Sequence, residues 1–213
     1  MSIPSPVINP GITVQLKSVS KKFGSEWIYK NIDATFTSGN QYAIVGPNGS
    51  GKSTLLKMIA GIITPNKGEV IYTNTEGNSV AENVFSKISF CAPYMDLPEE
   101  LTLSELLQFH TSFRNLTISS DELISLLQIN VHKEIRNYSS GMKQRVKLAL
   151  AFYTQADILL LDEPTANLDE TWIALYLKLI NETTVGKIVV ISSNIPAEYN
   201  FCNTVLKITD YKK

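Results

Sequence analysis

The sequence predicts an α/β fold: a core with a mostly parallel sheet, an antiparallel β subdomain near the N-terminus and a helical subdomain inserted late in the core. Three observations predict it. A glycine-rich stretch, Gly46-Pro-Asn-Gly-Ser-Gly-Lys-Ser53, lies between a short apolar run and a segment with helical spacing. Helix-start signals crowd the region from about 94 to 155, in a chain that otherwise alternates strands and helices. Two later runs, Ile158–Leu161 and Ile188–Ile191, are continuously apolar, as strands buried on both faces are.

Each element follows from its pattern. Ile12, Val14 and Leu16 alternate with Thr13, Gln15 and Lys17, which predicts a half-buried strand. Lys21 to Gly24 reads as a turn, and Ile32 to Phe36 alternates again up to the break at Ser38-Gly39. Gln41 to Val45 is a buried strand, and Ser53 to Ala60 carries Leu55, Leu56 and Ile59 at helical spacing before Gly61 and Pro65 end the pattern. Glu69–Tyr72 and Lys87–Cys91 are strands. Thr102-Leu-Ser-Glu105 is a capping box opening a helix to about Phe113, and Ser119-Ser-Asp-Glu122 opens another with Leu123, Leu126 and Leu127 inward. Ser139 caps a third helix carrying Val146, Leu148, Ala149 and Phe152. The core resumes with a strand at 157–161, a helix at 171–180, a strand at 187–191 and an edge strand at 204–208. The expected organisation is one domain over 1–213: residues 1–93 and 156–213 form the core with its β subdomain, and 94–155 the helical subdomain.

The glycine-rich stretch fits G-x-x-x-x-G-K-[ST] through Gly46, Gly51, Lys52 and Ser53, with an extra glycine at Gly49. Chance alone produces the four fixed positions in roughly 1% of chains of this length, and the strand before and helix after lower that further. Glycines let backbone N–H groups point inward, and the helix adds its positive end, so the loop Gly46, Pro47, Asn48, Gly49, Ser50, Gly51, Lys52, Ser53 and Thr54 predicts a polyphosphate site in a P-loop NTPase core. Lys52 would contact the outer phosphates and the Ser53 hydroxyl would hold Mg²⁺. Ile158-Leu-Leu-Leu-Asp-Glu-Pro164 ends an apolar strand in two carboxylates, at the edge of a parallel sheet where ligands gather. Beside a phosphate loop, Asp162 would bind the metal and Glu163 would polarise water for in-line attack; alone, the pair would read as a helix cap. Phe23 has two readings, packing or a stacking face for adenine, and by itself favours packing.

At 213 residues with 44% hydrophobic and 18% charged content and a net charge of −1, the chain has an ordinary globular composition. That balance gives no support for a nucleic-acid groove or a polybasic membrane patch. Met1–Pro10 has neither a positive start nor an apolar stretch, so it does not read as a signal peptide; its three prolines predict an extended tail. No apolar run is long enough to span a bilayer. Cys91 and Cys202, without metal or redox spacing, read as reduced core thiols, and His110 and His132 as surface residues.

Together these pieces resemble the ATP-binding subunit of ABC transporters over nearly the whole chain. Gly46–Thr54 is similar to the family's Walker A motif, Tyr138-Ser-Ser-Gly-Met142 with Lys-Gln-Arg to its Leu-Ser-Gly-Gly-Gln signature, Ile158–Pro164 to Walker B and Ala166–Asp169 to the D-loop. Phe23 falls where the family carries its adenine-stacking aromatic. The resemblance implies ATP and Mg²⁺ and a head-to-tail homodimer or heterodimer of ATP-binding subunits. In that dimer Ser139, Ser140 and Gly141 meet the ATP held by the partner. It also implies a transmembrane permease subunit, and hence a cytoplasmic protein peripheral on the inner face of the membrane.

Two positions depart from the family. Pro93 stands where it usually carries a glutamine that contacts Mg²⁺ and the attacking water, and Ser193 where it carries a histidine on the γ-phosphate. Proline offers no polar side chain, and serine no charge. With Lys52, Asp162 and Glu163 present, the expectation is a working but slow ATPase with Ser193 at the γ-phosphate; the alternative is an ATP-binding, weakly hydrolysing regulatory subunit. Tyr94, Met95 and Leu97 have two readings, an apolar socket for a partner's short helix or packing within the subdomain.

Overall fold

The computed structural model describes residues 11–212, so the predicted extended tail at 1–10 lies outside the described residues. Strands β1 (Ile12–Phe23), β2 (Glu26–Thr37) and β4 (Lys67–Asn74) form an antiparallel sheet in the order β2-β1-β4. Ile12, Val14 and Leu16 point into the core, as the alternation predicts. Both long strands outrun that alternation. Ser18 and Asn31 adopt left-handed backbone conformations (φ 49° and 53°), and the pairing slips between Leu16 and Val19. Such bulges shift the phase of the pleat, so Val19 and Ser20 both end up buried. Lys21–Phe23 therefore continues the strand, and the turn falls at Gly24-Ser25 instead.

The second sheet holds β3 (Gln41–Val45), β5 (Ile88–Cys91), β6 (Ile158–Asp162), β7 (Ile188–Ser192) and β8 (Thr204–Lys207), in the order β5-β6-β7-β3-β8. Every pairing in it is parallel. The side chains of Ile158–Leu161 and Ile188–Ile191 are fully buried, each contributing about 1.5–3 kcal/mol of apolar burial. Register then places the chemistry. Asp162 pairs with Ser192, and Ser192 with Ile44, so three strands end level along one sheet edge.

Helix α1 (Lys52–Ile59) follows β3 and buries Leu55, Leu56, Met58 and Ile59. A one-turn helix, α2 (Val84–Lys87), precedes β5; its four residues are too few to show a period. Between β5 and β6 lie α3 (Leu103–Thr111), α4 (Ser120–Leu127) and α5 (Ser140–Tyr153). Thr102 with Glu105, and Ser119 with Glu122, form complete capping boxes, and the Ser139 hydroxyl accepts from the Met142 amide, each cap contributing about 1 kcal/mol. Leu103, Leu107, Leu123, Leu127 and Val146 pack with Trp172 of α6 (Glu170–Thr183) in an apolar cluster of their own; Leu126 is only half-buried.

Cys91 is buried and Cys202 half-buried; both are free, and burial pushes both thiols up to about 12. His132 is exposed, but His110 is not the surface residue expected. It is half-buried, its Nε2 lies 2.9 Å from Thr154 Oγ1, and burial first and Arg114 second lower its pKa.

Candidate functional site

The level strand ends produce a cleft of about 380 Å³ lined by the loop from Asn48 to Thr54 together with Phe23, Ile28 and Glu163. Gly51 is the residue the loop is drawn tightest around. It has φ +100°, and a Cβ there would lie 2.3 Å from Ile28 Cγ2 and 3.1 Å from the Tyr29 ring. No other residue type combines that dihedral with that contact. Lys52 begins α1 and is only 4% exposed; its Nζ donates to the carbonyls of Gly46 (2.9 Å) and Pro47 (3.2 Å). The ammonium thus closes the loop on itself and has no carboxylate partner among the described residues. Phe23, 59% exposed, forms one wall of the same cleft.

Asp162 lies at the end of β6, 2% exposed, with Oδ1 buried and lacking a hydrogen-bond partner. A buried carboxylate oxygen without a partner is costly, and a cation is the partner that satisfies it best. No cluster of three or more His, Cys, Asp or Glu suited to a metal occurs among the described residues. Mg²⁺ commonly takes one or two protein oxygens together with phosphate oxygens and waters, and Asp162 with the half-buried Ser53 hydroxyl supplies such a set. Glu163 follows in a left-handed conformation (φ 43°), its amide donating to Ser192 O at 2.8 Å, which leaves its side chain on the cleft wall.

Ser193 is placed differently from expectation. It is fully buried, its Oγ accepts the Ile195 amide at 2.8 Å in a tight local turn, and it does not line the cleft. The neighbouring side chain reaches the loop instead: Asn194 Nδ2 donates to Asn48 Oδ1 at 3.2 Å. Ser139, Ser140 and Gly141 stand at the start of α5, outside this cleft. A Cβ on Gly141 would come 2.9 Å from Asn167 O, so the 166–169 loop packs against that helix start.

Tyr94 is 43% exposed, with its ring edge-on to Phe90 at 6.5 Å between centroids. Met95 and Leu97, but not Tyr94, line a separate cavity of about 300 Å³ beside His110 and Arg114. Burial first, and the nearby Asp162 charge second, raise the Tyr94 phenol pKa. Pro93 contributes only its carbonyl, which accepts from Lys147 Nζ at 3.0 Å. Sequence reasoning also missed Glu198, 1% exposed, whose Oε1 accepts from the Thr165 amide at 2.9 Å and from the Thr165 hydroxyl.

Comparisons with known proteins agree with this fold. The ABC transporter family model matches residues 29–166. The ABC transporter ATP-binding protein YcbN of Bacillus subtilis is 30% identical over 87% of this chain and 62% of its own length. The sulfate/thiosulfate import ATP-binding protein CysA of Synechococcus elongatus is 36% identical over 74% of this chain and 48% of its own. The chain thus spans about half to three fifths of the length of these relatives. Among solved structures, the dimeric ATP-binding cassette MJ0796, bound to ADP and Pi in a post-hydrolysis state, superposes with a TM-score of 0.74 at 28% identity, covering 91% of this chain and 93% of that one. By sequence model, fold and the convergence of loop and carboxylates, the chain belongs to the ABC transporter family as one of its ATP-binding cassettes.

Proposed function

We propose that this chain binds and hydrolyses Mg²⁺-ATP and couples closure of an ATP-bound dimer to transport by a separate membrane-spanning subunit. The observation that carries the reading is the shared cleft: the Asn48–Thr54 loop, buried Lys52 and Glu163 line one cavity, and Asp162 ends the strand that delivers Glu163. The Lys52 ammonium would exchange the carbonyls of Gly46 and Pro47 for phosphate oxygens, and the loop amides would hold the remaining charge. Ser53 and Asp162 would hold the metal, which neutralises charge on the β- and γ-phosphates when bound. Glu163 would accept a proton from the attacking water, giving ADP and phosphate. Phe23 would stack on the adenine.

Ser139, Ser140 and Gly141 would complete the partner's site in a head-to-tail homodimer or heterodimer. The cassette MJ0796 was solved as a dimer, which supports that arrangement. Residues 94–155 would act as the helical subdomain against a core of 1–93 and 156–213. The described residues contain no helix long and apolar enough to cross a membrane, so a separate permease would hold the protein at the cytoplasmic face. Turnover would be slow, because Pro93 lacks a polar side chain and Ser193 is engaged in its own turn. Phosphate release by the chain with its membrane subunit tests the reading. Lys52→Ala should abolish it, and Glu163→Gln should lower it by about 10²–10⁴-fold with ATP still bound. Unchanged release in both variants refutes the assigned roles, and ATP binding without release by the wild type favours the regulatory alternative.

A further inference from the structure

Glu163 leaves β6 in a left-handed conformation, and a tight turn follows it. The Ala166 amide returns to Glu163 O at 3.1 Å, with Pro164 and Thr165 at the corners. One peptide of that turn, Pro164–Thr165, is held at both ends by buried side chains from other elements. Its carbonyl accepts from Nε2 of Gln144, a residue of α5 that is 2% exposed, at 3.0 Å. Its N–H donates to Glu198 Oε1 at 2.9 Å, and the same oxygen accepts from the Thr165 hydroxyl. Glu198 lies beyond β7, 1% exposed, and the Tyr176 hydroxyl of α6 donates to its backbone carbonyl at 2.7 Å. Its second carboxylate oxygen, Oε2, is buried without a hydrogen-bond partner. No lysine, arginine or histidine pairs with that carboxylate among the described residues.

We propose that Gln144 and Glu198 are positioning residues for Glu163: together they fix the plane of the Pro164–Thr165 peptide, and with it the backbone conformation that keeps the Glu163 carboxylate on the cleft wall. This rests on the hydrolytic reading above and adds to it two residues, neither of which lines the cleft. A non-glycine residue at φ 43° is strained, and such a conformation persists only where its surroundings over-determine it. The Ser192 carbonyl takes the Glu163 amide at 2.8 Å on one side, and the clamped peptide stands on the other. An unpaired carboxylate is costly to bury, so packing alone would be served better by an apolar side chain. What a carboxylate adds is a charged acceptor, which binds the Thr165 amide and hydroxyl more strongly than a neutral oxygen does. Precision matters here, because a catalytic group misplaced by about 1 Å loses rate by as much as about 10²-fold.

The test uses the full chain and reads turnover separately from binding. Gln144→Met and Glu198→Met keep the length of each side chain and remove its polar atoms. Each should lower phosphate release per nucleotide site about 10–100-fold. Sites are counted by calorimetry with a non-hydrolysable ATP analogue, whose affinity should stay within about twofold of the wild type. Glu198→Gln, whose amide oxygen still accepts from Thr165, should recover most of the rate. In a Glu163→Gln background neither Met substitution should lower the residual rate by more than about twofold, because residues that act through one group are not additive. Packing alone predicts a lower melting temperature with the rate per site unchanged, and that result overturns the proposal. An equal drop in both backgrounds overturns it too, since the effect then bypasses Glu163. Gln144 and Glu198 stand on separate elements, so if one Met variant fails to fold, the other decides. A wild type that binds the analogue yet releases no phosphate from ATP refutes the hydrolytic reading instead.

Discussion

Substitution at Gly51 offers the sharpest test of the loop geometry, because Gly49 supplies an internal control. Both glycines have positive φ, +73° at Gly49 and +100° at Gly51, but a Cβ at Gly49 meets nothing within 4 Å. Gly49→Ala therefore incurs the left-handed backbone cost alone, about 1–2 kcal/mol. Gly51→Ala incurs the same and also drives a methyl to 2.3 Å from Ile28 Cγ2 and 3.1 Å from the ring of fully buried Tyr29. Overpacking of that kind adds about 1–3 kcal/mol, so the total is about 2–5 kcal/mol. For a domain of this size, about 2–4 °C of melting temperature corresponds to each kcal/mol. The expected losses are then about 2–8 °C for Gly49→Ala and about 4–20 °C for Gly51→Ala. Thermal melts without nucleotide and urea unfolding measure the difference, and calorimetry with Mg²⁺-ATP shows whether the loop has relaxed outward. If Gly51→Ala is no less stable than Gly49→Ala and binds nucleotide equally well, the close packing of loop on β2 is wrong.

Phe23→Ala should leave the melting temperature nearly unchanged, because the ring is largely exposed, while weakening ATP about tenfold through lost stacking, as calorimetry would show. Glu198→Ala removes the acceptor of the Thr165 amide and hydroxyl and should cost about 1–3 kcal/mol in urea unfolding. His110 has a folded pKa below its ordinary 6.5, so the unfolded chain takes up its proton first. Stability should be complete above 6.5 and decline as pH falls through and below that value. His110→Gln, able to keep a hydrogen bond to Thr154, should flatten that part of the melting profile.

The parts of the fold written in local patterns were legible in the sequence. The Thr102 and Ser119 capping boxes announce α3 and α4 because both partners lie three residues apart, and the apolar runs of β6 and β7 announce burial on both faces. The extent of β1 and β2 was not legible, since the left-handed residues Ser18 and Asn31 break the phase on which a period-two reading depends. The loop, Lys52 and Glu163 were found from spacing. Asn194 and Glu198 were not, because each acts on a residue far away in sequence: Asn48 and Thr165. Ser193 shows the converse limit: register identifies its position, but only the Ile195 amide contact reveals where its hydroxyl is spent.

Helix α5 is tied to the strand exits by two polar side chains. Buried Gln144 donates to Pro164 O at 3.0 Å, and three residues on, Lys147 donates to the carbonyls of Ala92 and Pro93. At 1.5 Å per residue, Ser140 lies about 6 Å from Gln144 and Tyr153 about 13.5 Å. Leu148, Ala151 and Phe152 bury the far half against β6 and β7, and Tyr153 O receives the Thr117 amide. A load applied at the serine tip therefore falls on the Gln144 and Lys147 contacts at the carboxylate-bearing strand exit, because the rest of the helix is set in the core.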